Sequence, residues 1–238
     1  MKYIVLFLFS VTLSSTSAQI KLLKNATEKA NKLIKAEQPL SVSEVSKGLV
    51  EALIQGSKKS VQLASVKDGF NNNRLIRIPF PEDAKRIKST LLKVGMTHQI
   101  KQFEKSINNA AELASAEALE ILINAIISMS INDAFAILNG NNNAATQYLN
   151  KQTSSDLHTK FKPIIKTAIG KVEVTKYWKP LVEKYNAIPL TKTVNADLDA
   201  YITTKTIEGL FILIAQEEKN IRLNPQARLS DLLQKVFN

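Results

Sequence analysis

Apolar residues recur at every third or fourth position along most of the chain, a spacing that predicts amphipathic α-helices. One stretch departs from this pattern, because Leu210 to Ala215 are apolar without a break. A helix that is apolar on all sides has to be enclosed by other elements. We therefore predict an all-α fold, a single bundle of about eight to ten helices around this stretch, with no strand.

Capping signals mark several predicted helix starts. In each, a hydroxyl and a carboxylate three residues later satisfy free amides of the first turn: Ser41 with Glu44, Ser130 with Asp133, and Thr153 with Asp156. From Thr97 the apolar spacing continues without interruption to Met129, which predicts one helix of about 30 residues. Asn224-Pro225 is expected to begin the last helix, because proline suits a first-turn position.

Prolines shape two further parts of the predicted fold. Pro163 and Pro180 fall inside predicted helices, where proline kinks the axis. In Arg74-Leu-Ile-Arg-Ile-Pro-Phe-Pro81 the two prolines force the residues before them into extended geometry. We expect this segment to form an extended strap across the helices, followed by a helix from Pro81, through Glu82 and Asp83, to a left-handed cap at Gly95.

The N-terminus has the form of a secretory signal peptide. Lys2 is followed by an apolar run from Tyr3 to Leu13 and by small residues that end at Ala18. Cleavage near Ala18 is expected to release a soluble, periplasmic or secreted protein. No cysteine is present for lipid attachment or for disulfides. Residues 19–39 read as an amphipathic lead segment, and residues 40–238 as a single helical domain.

Composition and charge narrow the class of protein. With 45% hydrophobic and 22% charged residues, the chain is typical of a globular protein. Its formal net charge is +11, and residues 19–106 hold 17 basic and 8 acidic residues, a net +9. The lysines are spread singly along helices without interleaved aromatic residues, which favours a solvated basic face over a nucleic-acid surface. No later segment is apolar over the length of a membrane span.

Several strings of the sequence resemble one family. They are Gly48-Leu-Val-Glu-Ala-Leu53, Asp68-Gly-Phe70, Ile76-Arg-Ile-Pro-Phe-Pro-Glu82, Ala144-Ala-Thr-Gln-Tyr-Leu149, Phe161-Lys-Pro-Ile-Ile165, Glu217-Glu-Lys-Asn-Ile-Arg-Leu-Asn-Pro-Gln-Ala-Arg228 and Leu232-Leu-Gln-Lys-Val-Phe237. Together they resemble the bacterial domain of unknown function 4197 (DUF4197) over nearly all of the mature chain. The resemblance implies an exported, helical, single-domain bacterial protein, and it implies no reaction or ligand. Some members resemble lipoproteins, and this chain departs from them by lacking the cysteine.

Known catalytic and metal-binding motifs are missing from the sequence. The two histidines, His98 and His158, are far apart, and no His-Glu-x-x-His or cysteine pair offers metal ligands. No Gly-x-Ser-x-Gly elbow, Walker loop or dinucleotide fingerprint occurs. We therefore predict no cofactor and no metal, and the sequence favours a role other than catalysis.

Charged residues at two places are the candidate binding groups. Glu218 and Arg222 are four residues apart and should face each other on a helix, with Arg228 near them, while Glu217 points elsewhere. Either Glu218 and Arg222 form a structural ion pair that Arg228 joins, or Arg222 and Arg228 build an anion site with the free amides of the helix that Asn224-Pro225 opens. Arg74 and Arg77 on the strap would either bind phosphates or acidic glycans, or cap helix carbonyls.

Three functional hypotheses follow from the sequence. The first is a non-enzymatic protein that binds a protein partner or an anionic envelope component through its basic N-terminal third. The second is a cell-envelope hydrolase or lyase that uses Glu217 or Glu218. The third is a carrier that holds apolar ligands between its long helices. A deep cleft that places a buried glutamate beside a polar partner would favour the enzyme, and lipid that co-purifies with the protein would favour the carrier.

Overall fold

The computed structural model describes residues 40–81, 84–188 and 198–237. These residues form nine α-helices, one short 3-10 helix and no strand, which confirms the all-α prediction. The helices are α1 (Val42–Ser65), α2 (Lys85–Lys93), α3 (Thr97–Ser115), α4 (Ala118–Ile127), α5 (Ile131–Leu138), α6 (Ala144–Lys171), α7 (Val174–Asn186), α8 (Leu198–Leu223) and α9 (Asp231–Val236), and the 3-10 helix is Pro225–Ala227.

Contacts divide the chain into two units, Met1–Leu40 and Ser41–Asn238, and every helix named above lies in the second. The predicted signal peptide, the lead segment 19–39 and the helix start at residues 82–83 lie outside the described residues.

Helix α8 lies in the middle of the second unit, where it packs against α1, α3 and α6. Leu210, Leu213 and Ile214 are each at most 3% exposed. The expectation that every side of this segment is enclosed is wrong at one position, because Ile212 is 39% exposed. Ile212 follows the exposed Glu208 by one turn, so the three neighbouring helices leave a solvent-facing stripe along α8.

Several predicted helix boundaries are confirmed. The Ser41–Glu44 and Ser130–Asp133 capping boxes are formed, and Gly95 adopts φ +82° after α2. Pro163 and Pro180 lie inside α6 and α7.

Other predicted boundaries are wrong. The stretch from Thr97 to Met129 holds two helices, because Ala116 and Glu117 form a turn. Both residues keep dihedrals close to helical ones, so the apolar spacing runs across the break. Thr153 does not start a helix, since its hydroxyl donates to the carbonyl of Leu149 in the middle of α6.

The predicted last helix also begins elsewhere. Pro225 opens only a three-residue 3-10 turn, in which the Asn224 side chain accepts from the amide of Gln226. Helix α9 begins six residues later at Asp231, and the hydroxyl of Ser230 accepts from the amide of Leu233. The local proline signal was correct for a turn, but it did not fix the length of the helix.

A line of polar residues on α3 holds the segment between α1 and α2. Glu104, Asn108 and Glu112 follow one another at intervals of four, and all three are buried. Such spacing puts them on one face of the helix. The face of α3 that meets the segment from Asp68 to Phe80 is therefore polar, in a helix that otherwise buries apolar side chains.

The carboxylate of Glu112 accepts from the backbone amides of Asp68, Phe70 and Asn71 at 3.1, 3.2 and 3.4 Å. Burial raises the pKa of Glu112 above its ordinary value, although these amides act to lower it. Asp68 has φ +62°, so the carboxylate serves a turn that contains a left-handed residue. An anchored turn of this kind satisfies amides that helix formation cannot.

The side chain of Asn108 holds the strap through hydrogen bonds to both backbone groups of Ile78. Its side-chain oxygen accepts from the amide of Ile78 at 2.8 Å, and its nitrogen donates to the carbonyl of Ile78 at 2.9 Å. The hydroxyl of Tyr201 donates to the carbonyl of Pro79 at 2.9 Å. Ile76, Ile78 and Phe80 are buried, so the strap is packed against the helices as well as hydrogen-bonded. The prediction that the whole strap is extended is wrong for Arg74 to Ile76, which form a turn because the amides of Ile76 and Arg77 both donate to the carbonyl of Asn73.

We expect Asn108→Ala to lower the free energy of unfolding by about 3 kcal/mol, because it leaves both buried backbone groups of Ile78 without their partner. The measurement is urea denaturation followed by circular dichroism. The control is Asn109→Ala, which removes the same amide from the next, partly exposed position. Equal losses for the two variants would contradict the role assigned to Asn108.

Candidate functional site

Glu218, one of the predicted site residues, is a buried carboxylate at the start of another helix. Its side chain reaches from α8 to the first turn of α6, where it accepts from the amides of Ala145 and Thr146 at 2.9 and 2.8 Å. The hydroxyl of Thr146 also donates to it, at 2.7 Å. These three donors at the N-terminus of α6 satisfy both carboxylate oxygens of Glu218.

Arg222 pairs with Glu218 and caps the C-terminal end of α5. Its Nε donates to Glu218 at 3.0 Å, as the four-residue spacing predicted. Its Nη1 and Nη2 donate to the carbonyls of Leu138 and Ile137, at 3.2 and 2.7 Å. The pair therefore joins the C-terminus of α5 to the N-terminus of α6 across the intervening turn. We call Glu218 and Arg222 the clasp.

Arg228 serves the end of α8 itself. Its Nε donates to the carbonyl of Ile221 at 3.0 Å, and its Nη2 donates to the carbonyl of Arg222 at 2.9 Å. The sequence left two alternatives for Arg222 and Arg228. They could belong to a structural ion pair, or they could form an anion site at the N-terminus of the next helix. The geometry puts both guanidinium groups on backbone carbonyls, and the following element is the 3-10 turn.

The interior beside the clasp is closely packed. A cavity of about 20 Å³ lies between Leu53, Ile214, Ile221 and Phe237, with the clasp at its wall. This volume is about that of a single water molecule, and the cavity surface is apolar. A substrate or a lipid does not fit there.

Glu217 diverges from Glu218 and faces α1, where its carboxylate accepts from Lys59 Nζ at 2.8 Å. Adjacent residues on a helix point about 100° apart, so the two glutamates cannot act on one bond. Glu217 stands at the wall of an open groove of about 520 Å³ between α1 and α8. The neighbouring carboxylates thus belong to different environments, one buried and one at the surface.

Arg77 and Lys88 converge on one carboxylate at the strap. Arg77 Nη2 lies 3.1 Å from Glu104, and Lys88 Nζ donates to the other oxygen of the same carboxylate. The side chains of Arg77 and Lys88 are 46% and 36% exposed, and that of Glu104 is 10% exposed. Arg74 is exposed at the start of the strap. We call Arg74, Arg77, Lys88 and Glu104 the strap patch.

A cluster of three aromatic rings packs beneath the strap patch. Phe103 stacks with Trp178 at 4.8 Å between ring centroids, and Phe80 contacts both rings at 5.1 and 5.7 Å. Lys88 Nζ lies 5.9 Å from the centroid of Phe80. Aromatic clusters of this kind are rigid and well packed. The patch is therefore held in position even though its cations are partly exposed.

The structure also shows groups that the sequence analysis missed. Glu104 and Lys88 complete the strap patch, and Lys59 pairs with Glu217. The four-residue spacing of Glu104, Asn108 and Glu112 was a usable signal for a polar face on α3. The partners of Glu218 at residues 145–146 carried no signal, because they lie far away in sequence.

The described residues contain no group of three or more His, Cys, Asp or Glu that could hold a metal ion. His98 and His158 are both exposed. Within these same ranges, no single helix is long and apolar enough to cross a membrane.

The family model described as protein of unknown function (DUF4197) matches residues 39–238. The chain belongs to the DUF4197 family. The match includes the clasp, the strap patch and all nine described helices. No curated protein and no solved structure matches the chain. The description of the DUF4197 family names no function, so a function has to be argued from the structure itself.

We expect Glu218→Gln to lower the free energy of unfolding by about 3 to 5 kcal/mol, because it leaves Arg222 buried without its counter-charge. Glu217→Gln is the matched control, with the same change one position earlier. It removes only a pair whose lysine is 54% exposed, and such pairs contribute at most about 1 kcal/mol. Urea denaturation of both variants measures the difference, and similar midpoints would contradict a structural role for Glu218.

Proposed function

We propose that this protein is an exported, non-enzymatic binding protein that attaches to an anionic component of the bacterial cell envelope through the strap patch. The signal-peptide pattern at residues 1–18 supports export. The net charge of +11 supports an anionic partner. The observation that carries the proposal is the convergence of two partly exposed cations on the single carboxylate of Glu104.

The charge balance at the patch favours an anion. Glu104 offers one negative charge to Arg77 and Lys88, so the three groups together keep one positive charge, and the exposed Arg74 adds another. A guanidinium group has five donors, of which a carboxylate engages at most two or three. Arg77 therefore retains donors for a phosphate or carboxylate of a partner.

The rigidity of the patch strengthens its use for binding. Asn108, Tyr201 and the aromatic cluster fix the strap before any partner arrives. A preformed surface loses less conformational entropy on binding than a mobile one does.

Catalysis by the two candidate glutamates receives less support from the geometry. Glu218 already accepts from two amides, a hydroxyl and a guanidinium, so both of its carboxylate oxygens are occupied. Glu217 is paired with Lys59 at an open surface. In both cases the carboxylate is engaged by donors of this chain rather than directed at a site for a substrate.

The carrier hypothesis also has little support in the packing. The cavity beside the clasp has about 20 Å³, whereas a site for a drug-sized ligand has roughly 300 to 1,000 Å³. The larger spaces found among the described residues are open grooves with polar side chains.

We expect Arg74→Gln with Arg77→Gln to weaken binding to a washed bacterial envelope fraction about five- to tenfold, because two exposed charge contacts are lost. Co-sedimentation at low and at physiological ionic strength measures the affinity and its salt dependence. The control is Lys162→Gln with Lys166→Gln on α6, which removes two exposed charges elsewhere. Equal binding by both double variants, or binding that salt does not weaken, would contradict the proposal.

A further inference from the structure

The groove beside Glu217 has a chemistry that the strap patch lacks. It lies between α1 and the C-terminal part of α8, next to the 3-10 turn, and has a volume of about 520 Å³. Five of its side chains are carboxamides: Gln55, Gln62, Asn220, Asn224 and Gln226. We call it the amide groove.

The two walls of the groove approach each other closely at a glycine. Gly56 lies at its base, and a Cβ built there would be 3.7 Å from the Cβ of Glu217, so the two helices approach closely at that level. Lys59 and Glu217 join the walls by their ion pair. These contacts hold the walls in a defined position, and the polar side chains lie above them.

Part of the hydrogen-bonding capacity in the groove is unused. Gln55 donates to Glu51, and Asn224 accepts from the amide of Gln226. The side chains of Gln62 and Asn220 have no hydrogen-bond partner within residues 40–81, 84–188 and 198–237. A carboxamide has two donors and an acceptor in one plane, so these groups are free to bind a ligand that both donates and accepts.

The charge balance disfavours an anion as the principal ligand. Lys59 is neutralised by Glu217, which leaves Lys58 as the remaining cation among the groove residues. The NH2 groups of the carboxamides can donate to an anion, but they add no positive charge that would attract one. Leu229, which is 78% exposed, adds an apolar surface at the margin.

Other polymers fit this chemistry less well. A peptide that adds a strand needs a sheet edge, and no strand occurs in the described part of the chain. A helix that docks in a groove presents an apolar face to it, which would leave the five carboxamides along this groove without partners. Single-stranded nucleic acid needs aromatic residues for stacking, and the groove contains none. Sugar hydroxyl and acetamido groups both donate and accept, as the carboxamides do.

We propose that the amide groove binds an uncharged glycan chain that carries hydroxyl and acetamido groups. Gln62 and Asn220 hydrogen-bond these groups from opposite walls, and Leu229 contacts the apolar face of a sugar ring. This site is separate from the strap patch in its residues, and its ligand is uncharged where the ligand of the patch is anionic.

The test is isothermal titration of the whole mature protein with a soluble oligosaccharide of β-1,4-linked N-acetylglucosamine. We expect the native protein to bind it and Gln62→Ala with Asn220→Ala to bind it at least about tenfold more weakly, because several hydrogen bonds are lost. The matched control is Gln99→Ala with Asn132→Ala, two exposed amides outside the groove. Both variants alter surface side chains, and a thermal melt checks that each remains folded.

Salt dependence separates this proposal from the one for the strap patch. Binding of a neutral sugar is expected to be insensitive to ionic strength and to persist in the Arg74→Gln and Arg77→Gln variant. Absence of sugar binding by the native protein, undiminished binding by the groove variant, or binding that salt abolishes would each overturn the glycan proposal. None of these results bears on binding to the envelope fraction through the strap patch.

Discussion

A chain that folds as a helical bundle must still satisfy the backbone groups where its helices stop, and this constraint shapes the whole structure. Among the described residues, buried polar side chains meet it at several places. On α3, Glu104, Asn108 and Glu112 hold the segment between α1 and α2. On α8, the clasp binds the end of α5 and the start of α6. Each joins elements that are distant in sequence.

Because the buried carboxylates are engaged in stabilising the fold, function is to be sought at the surface. A carboxylate whose oxygens are occupied by backbone amides stabilises the fold and has little capacity left for chemistry. Glu218 and Glu112 are both in that position. Surface features are different, because they remain accessible while the buried network fixes their geometry. The strap patch and the amide groove are two such surfaces, one basic and one largely neutral, and their proposed ligands differ in charge accordingly.

The candidate residues show which contacts can be predicted from the separation of residues along a helix and which cannot. The contact between Glu218 and Arg222 followed from their four-residue separation, because helix geometry alone brings them together. The divergence of Glu217 from Glu218 followed in the same way. The carbonyls that Arg222 caps lie 84 and 85 residues away along the chain, so no local pattern could indicate them. Arg77 likewise found its partner in Glu104 on α3, a helix that begins only after the whole of α2.

The amino-acid sequence by itself determined the helical class, two capping boxes, the left-handed cap at Gly95 and the family, because backbone hydrogen bonding and apolar periodicity act over a few residues. Only the tertiary structure decided where the long helical pattern breaks, which side of α8 meets solvent and how the amide groove forms. Those features depend on which helices become neighbours. Burial and hydrogen bonding between distant segments are properties of packing, and the periodicity of any single segment is compatible with several packings.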